Sequence, residues 1–140
     1  MTSSVTPFMA WNDSWLVGVA EFDAQHKNLV SLLNELHQSM SLGRGRTVIG
    51  DVLASLVGYT QSHFAAEERL MQKYNYPGLG MHKLEHDQLA RKVLEFRRGF
   101  EAGNVTVSIE VMEFLKAWLR DHILGSDKRY AGFFASQGVR

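Results

Sequence analysis

Cysteine is absent from the 140 residues and proline occurs only twice. Without thiols there can be no disulfides, no thiolate metal ligands and no cysteine nucleophile, although the redox compartment is not fixed by that absence. Charge of one sign is missing too: 15 Lys and Arg balance 15 Asp and Glu, interspersed along the chain. A nucleic-acid domain normally carries a basic face, and an anionic membrane surface is met by basic runs, so both partners are excluded as expectations. Long hydrophobic runs are also lacking. The longest are four to six residues, far short of the ~20 that span a bilayer. The start, Met-Thr-Ser-Ser-Val-Thr-Pro, has neither the positive charge nor the apolar run of a signal peptide. The expectation is a cytoplasmic protein.

What is present is a chain of one-domain length, at roughly 100–200 residues per domain, with 45% hydrophobic residues. At this size on the order of 68–70% of the unfolded surface is buried on folding, enough for a core without staples. Pro7, Gly43-Arg44-Gly45, Tyr76-Pro77-Gly78-Leu79-Gly80 and Gly103-Asn104 punctuate it. Four segments of helical periodicity lie between, at about 23–40, 47–74, 81–102 and 106–124. Leu29, Leu33, Leu36 and Met40 mark the inner face of the first, with Asp23 as its N-cap. Leu53, Leu56, Thr60, His63, Glu67 and Leu70 mark the second, which contains Gly50 and Gly58 as candidate points of close packing. His82, His86, Leu89, Val93, Phe96 and Phe100 line the third. Ile109, Met112, Leu115, Trp118, Leu119 and His122 line the fourth, for which Gly125 is a natural stop.

Short connections make sequential helices antiparallel neighbours, so the fold expected is all-α, an up-down-up-down antiparallel four-helix bundle. One domain over 1–140 then divides into a leader (1–20), the bundle (21–127) and a short C-terminal helix or tail (128–140). Phe8, Trp11 and Trp15 of the leader are expected to cover one end, and Tyr130 to Phe134 to dock on the bundle.

The anomaly is that ionisable residues occupy the apolar stripes, where each needs a partner. Residues four apart differ by about 40° around a helix and about 6 Å along it. His63 with Glu67, and His82 with His86, therefore each aim two donors at one spot. His122 and Asp127 are five apart, about 140° on an ideal helix, unless Gly125 lets the chain widen into an i→i+5 turn. Height is an independent test. His26 begins the first helix, His63 and Glu67 end the second, His82 and His86 begin the third, His122 and Asp127 end the fourth. In an antiparallel bundle those places lie at one end. A lone histidine on an apolar face is usually a satisfied core residue, and His37, about 16 Å along the axis from His26, is read that way. Five histidines and two carboxylates at one level point instead to metal.

Five imidazoles exceed a four-coordinate zinc site, and two carboxylates are too few for calcium or magnesium. Imidazole with carboxylate suits iron. Two six-coordinate irons offer twelve positions; five nitrogens, four oxygens of two bridging carboxylates and one shared solvent oxygen counted twice fill eleven. One position stays open for a small ligand.

The sequence resembles the hemerythrins, more narrowly the single-domain bacteriohemerythrins, from about Trp11 to Tyr130. The resemblance is carried by Phe22-Asp23-Ala24-Gln25-His26, by His63-Phe64-Ala65-Ala66-Glu67-Glu68, by Tyr76-Pro77 with His82-Lys83-Leu84-Glu85-His86, and by Trp118-Leu119-Arg120-Asp121-His122-Ile123 with Asp127. It implies that His82, His86 and His122 bind one iron and His26 and His63 the other, left five-coordinate. Glu67, Asp127 and an oxo or hydroxo group would bridge the pair. It also implies reversible O2 binding for storage, delivery or sensing, with nitric oxide and small anions as rival ligands, and a pocket at Leu119 whose wall Trp118 and Ile123 extend. Trp15 stands where the pattern has an aliphatic residue. Glu68, Glu85 and Asp121 lie about 100° off the ligand face and are expected to be solvated surface. The competing function is a diiron enzyme acting on peroxide or nitric oxide, or an iron-donating repair protein. Catalytic diiron bundles more often use Glu-rich ligand sets, so the His-rich set favours binding over catalysis. A sensory role would require a protein partner that reads the surface.

Overall fold

Periodic apolar stripes and short glycine-rich links determine the architecture of the computed structural model, which describes residues 7–103 and 109–140. Four helices form the bundle: α1 (Ala20–Ser41), α2 (Arg46–Lys73), α3 (Leu79–Glu101) and α4 (Ile109–His122). A five-residue π turn, Ile123–Asp127, joins α4 to α5 (Lys128–Ser136). The described residues contain no strand, and no described helix is long and apolar enough to cross a membrane. The start of the fourth segment, read at Thr106, lies outside the described residues.

Neighbours run antiparallel, as the ends of the helices record. Gln25, early in α1, meets His63, late in α2. Arg46, which opens α2, hydrogen-bonds the carbonyl of Phe100 at the end of α3 and stacks on its ring at 4.2 Å. A Cβ on Gly50 would sit 3.4 Å from the Phe100 ring, so that glycine does mark a close approach; Gly58 does not, since a Cβ there would meet nothing within 4 Å. Asn75 takes the left-handed conformation (φ 55°) that a short polar side chain tolerates, and turns the chain from α2 into α3.

Two apolar clusters divide the interior. The larger, including Leu29, Leu33, Leu36, Leu53, Val57, Phe64, Leu89, Val93 and Met112, fills the bundle. The smaller joins Val17, Val19, Phe22 and Met71 to Tyr130 and Phe134 of α5 and closes the end where the buried histidines lie.

Three local expectations are corrected. Asp23 is not an N-cap: α1 begins at Ala20, and the Asp23 carboxylate accepts from the backbone N–H groups of Val17 (2.7 Å) and Gly18 (3.2 Å), tying the leader to the first turn. Phe8, Trp11 and Trp15 do not cover an end. Phe8 stacks on His37 (4.1 Å), Met9 exchanges hydrogen bonds with Asn34, and Lys27 lies over Trp11, so the segment descends along the flank of α1 toward Asp23. Trp15 packs edge-on against Trp11 at 5.5 Å on this flank. Gly125 is not a stop, because the helical path continues through the π turn into α5.

Phe134 is fully buried among Phe22, Tyr130, Tyr74 and Tyr76. Phe134→Ala is expected to lower the unfolding free energy by about 3–5 kcal/mol in urea titrations, as for other large-to-small core changes. A loss under about 1 kcal/mol, the range of surface substitutions, would show that the tail is not part of the core.

Candidate metal centre

Seven ionisable side chains, all within a few per cent of complete burial, meet at one end of the bundle: His26 from α1, His63 and Glu67 from α2, His82 and His86 from α3, His122 from the end of α4 and Asp127 from the π turn. The i,i+4 pairs face one spot as their spacing requires. The i,i+5 pair does so because the π turn holds one extra residue and brings Asp127 round to His122, with Nε2 and Oδ1 3.1 Å apart. His37 stays outside, half-buried beneath Phe8.

Each carboxylate divides its oxygens between two groups of histidines. Glu67 turns Oε1 to His86 (3.1 Å) and His82 (3.5 Å), and Oε2 to His63 (3.3 Å) and His26 (3.4 Å). Asp127 turns Oδ1 to His82 (3.0 Å) and His122 (3.1 Å), and Oδ2 to His26 (3.0 Å). Two donor sets result, Glu67, His82, His86, His122 and Asp127 in one, His26, His63, Glu67 and Asp127 in the other, each within 4.8 Å internally.

The chemistry of these contacts fits a metal pair better than a hydrogen-bonded core. His63 Nδ1 donates to Gln25 Oε1 (2.5 Å) and His86 Nδ1 to Glu68 Oε2 (2.8 Å). Each neutral ring so engaged turns the bare lone pair of Nε2 inward. Despite separations near 3 Å, His26 Nε2, His82 Nε2, Glu67 Oε1 and both Asp127 oxygens have no hydrogen-bond partner among the described residues. Buried polar atoms left without partners are costly. Cis donors on an octahedral metal with bonds of about 2.1 Å lie about 3.0 Å apart, and the separations here run from that value to 3.5 Å.

The surrounding shell corrects a further expectation. Glu68 is not solvated surface; it holds His86 from the adjacent helix. Glu85 accepts from the buried Ser126 hydroxyl at 2.7 and 2.8 Å, pinning the π turn to α3, and lies 3.8 Å from His122 Nδ1. Asp121 does remain exposed, paired with Arg120. Gln25 and Tyr130 escaped the sequence reading. The Tyr130 hydroxyl donates to Glu67 Oε2, and its place three residues after Asp127, on the same helical face, was the available signal. Phe64 stacks on His86 (3.7 Å) and Trp118 on His122 (4.4 Å), fixing both rings.

An apolar cavity of about 30 Å³ adjoins the site through Phe64 and has Trp118, Leu119, Leu115 and Leu29 in its wall. Ile123, expected in that wall, is fully buried but does not line the cavity.

A family model, the Hemerythrin HHE cation binding domain, matches residues 17–134. Bacteriohemerythrin of Stenotrophomonas maltophilia (strain R551-3) is 37% identical over 88% of this chain and 79% of its own. A hemerythrin-like protein of Naegleria gruberi is 34% identical over 94% and 97%. The crystal structure of a wild-type hemerythrin superposes with a TM-score of 0.85 at 34% identity, covering 89% of this chain and 96% of that one.

Burial disfavours imidazolium at His26 and His82, but the facing Asp127 and Glu67 carboxylates prevail and raise both pKa values from 6.5 to about 9. Burial opposes ionisation of the two carboxylates, but His63, His26 and His82 hold Glu67, and His122 and His26 hold Asp127, well below the usual range. A histidine whose folded pKa is raised stabilises the fold fully below its unfolded pKa, and that contribution is lost as pH rises through the folded value. Metal-free protein should therefore melt at progressively lower temperature between about pH 6.5 and 9. Calorimetry across that window checks it, and a flat or rising melting temperature would contradict the raised pKa values of His26 and His82.

Proposed function

The chain belongs to the hemerythrin family, a diiron oxygen-binding family, and from that premise we propose that it binds O2 reversibly and does not turn it over. His82, His86 and His122 would hold one iron and His26 and His63 the other, with Glu67, Asp127 and a solvent-derived oxo or hydroxo group between them. The observation that carries the reading is the unequal division of the donors. Both carboxylates are shared, yet one set has three imidazoles and the other two, so one coordination position is left for a small ligand. The iron pair, when bound, supplies the electrons that O2 takes up and returns.

The chain's own residues supply orientation and dryness. Gln25 and Glu68 fix the tautomers of His63 and His86, as partners of metal-bound imidazoles commonly do. Leu119 and Trp118 would keep water from the open position, with Ile123 as packing behind them. Donor chemistry favours binding over catalysis, because five of the seven donors are imidazoles, whereas catalytic diiron bundles draw mainly on glutamates. Nitric oxide and small anions would compete for the same position. Leader, bundle and tail act as one unit over 1–140 in this reading, since the tail contributes Tyr130 to the site.

Metal analysis tests the ligand set. Wild type and His37→Ala should each retain two irons per chain, and Asp127→Ala should lose iron, because it removes a donor from both sets. Equal loss in the two variants would refute the assignment.

Cycling the reduced protein between O2 and argon tests the function: the deoxy spectrum should return without added reductant. A spectrum that stays oxidised would favour the enzyme instead. In Leu119→Asn, which touches no ligand, both irons should remain while irreversible oxidation accelerates as water enters the cavity. Unchanged oxidation would remove Leu119 from the shielding wall.

A further inference from the structure

The groups that surround the donors are not symmetric about the two positions. On the three-histidine side, His86 Nδ1 donates to a carboxylate, Glu68 Oε2, at 2.8 Å, whereas His122 Nδ1, 3.8 Å from Glu85 Oε1, has no hydrogen-bond partner among the described residues. On the two-histidine side, His63 Nδ1 donates to a neutral amide oxygen, Gln25 Oε1, at 2.5 Å, and His26 Nδ1 has no hydrogen-bond partner among the described residues. The shared Glu67 is polarised in the same sense. Its Oε2, which faces His26 and His63, accepts the buried Tyr130 hydroxyl. Its Oε1, which faces His82 and His86, accepts no hydrogen bond.

These features act in one direction. A carboxylate that accepts the Nδ1–H proton gives the imidazole anionic character and makes Nε2 a stronger donor; an amide does so weakly, and a ring without an acceptor not at all. A hydroxyl donated to one oxygen of a bridging carboxylate draws charge from that oxygen and leaves more on the other. Burial makes each effect larger than it would be in water.

We infer that Glu68, Gln25 and Tyr130 are positioning residues that make the two metal positions electronically unequal, the three-histidine position rich in negative charge and the two-histidine position poor in it. Iron at the rich position is held toward the ferric state and is the harder of the two to reduce. Iron at the poor position is the easier to reduce and, when oxidised, the more electrophilic. The open position and the electron-poor one coincide, so the polarity directs electrons and small anions to the same metal. This inference rests on the ligand set proposed above but not on the reversibility of O2 binding.

The test is a potentiometric titration of the diiron-loaded protein and three variants, each accompanied by iron analysis. Wild type should reduce in two separated one-electron steps. Glu68→Gln should raise the lower-potential step, while Gln25→Glu and Tyr130→Phe should lower the higher-potential one, so each variant narrows the gap from its own side. All should retain two irons and wild-type helicity, and simple loss of packing would not move a single selected step in a defined direction. Two irons with the same step shifted in every variant, or with none shifted, would overturn the inference and leave the ligand set standing. Failure of wild type to hold two irons would overturn both.

Discussion

The crowding of buried polar atoms that lack hydrogen-bond partners is the constraint on which the rest of the structure depends. Nε2 atoms and carboxylate oxygens stand 3.0–3.5 Å apart in a region from which water is excluded, and protons can relieve only part of the conflict. Around this centre the chain packs aromatic rings against the donors. Phe64 and Trp118 lie flat against two of the rings, Phe22 and Tyr130 pack edge-on nearby, and the larger apolar cluster fills the remainder of the bundle. Structural metals behave this way in general: the geometry that would destabilise a core without the cation makes the cation part of the fold.

Much of the site was legible in the sequence because helical geometry is local. The i,i+4 spacing of His63 with Glu67 and of His82 with His86 fixes shared faces whatever surrounds them, and four segments with short links fix which ends meet. Even the turn at Gly125 could be anticipated, since His122 and Asp127 agree in direction only if the helix widens between them. What escaped depends on the neighbouring helix. Glu68 sits about 100° from the ligand stripe of its own helix, which reads as surface, yet α3 lies on that side and presents His86 to it. Glu85 finds its partner in Ser126 across the same kind of boundary. Gln25 looks like an ordinary polar residue until α2 brings His63 alongside.

The leader illustrates the opposite limit. Its aromatic residues announced contact with the bundle, but apolarity does not specify which surface is covered. The choice was made by hydrogen bonds: Asn34 receives Met9, and Asp23 receives the turn at Val17 and Gly18. These side chains lie along one flank of α1 and draw the leader down it. Polar side chains reaching to backbone thus route a segment whose apolar residues only supply adhesion.

The π turn is more than a way to aim one aspartate. Because it sits between α4 and α5, the rotation that turns Asp127 inward also sets the direction of Tyr130 and Phe134, three and seven residues further on and both completely buried. The C-terminal helix is thereby in register with the site. Local opening of a terminal helix generally takes less free energy than unfolding a whole domain. Undocking of this one short helix would withdraw Tyr130 from Glu67 and free Asp127, a donor common to both sets, which makes α5 the end wall of the site.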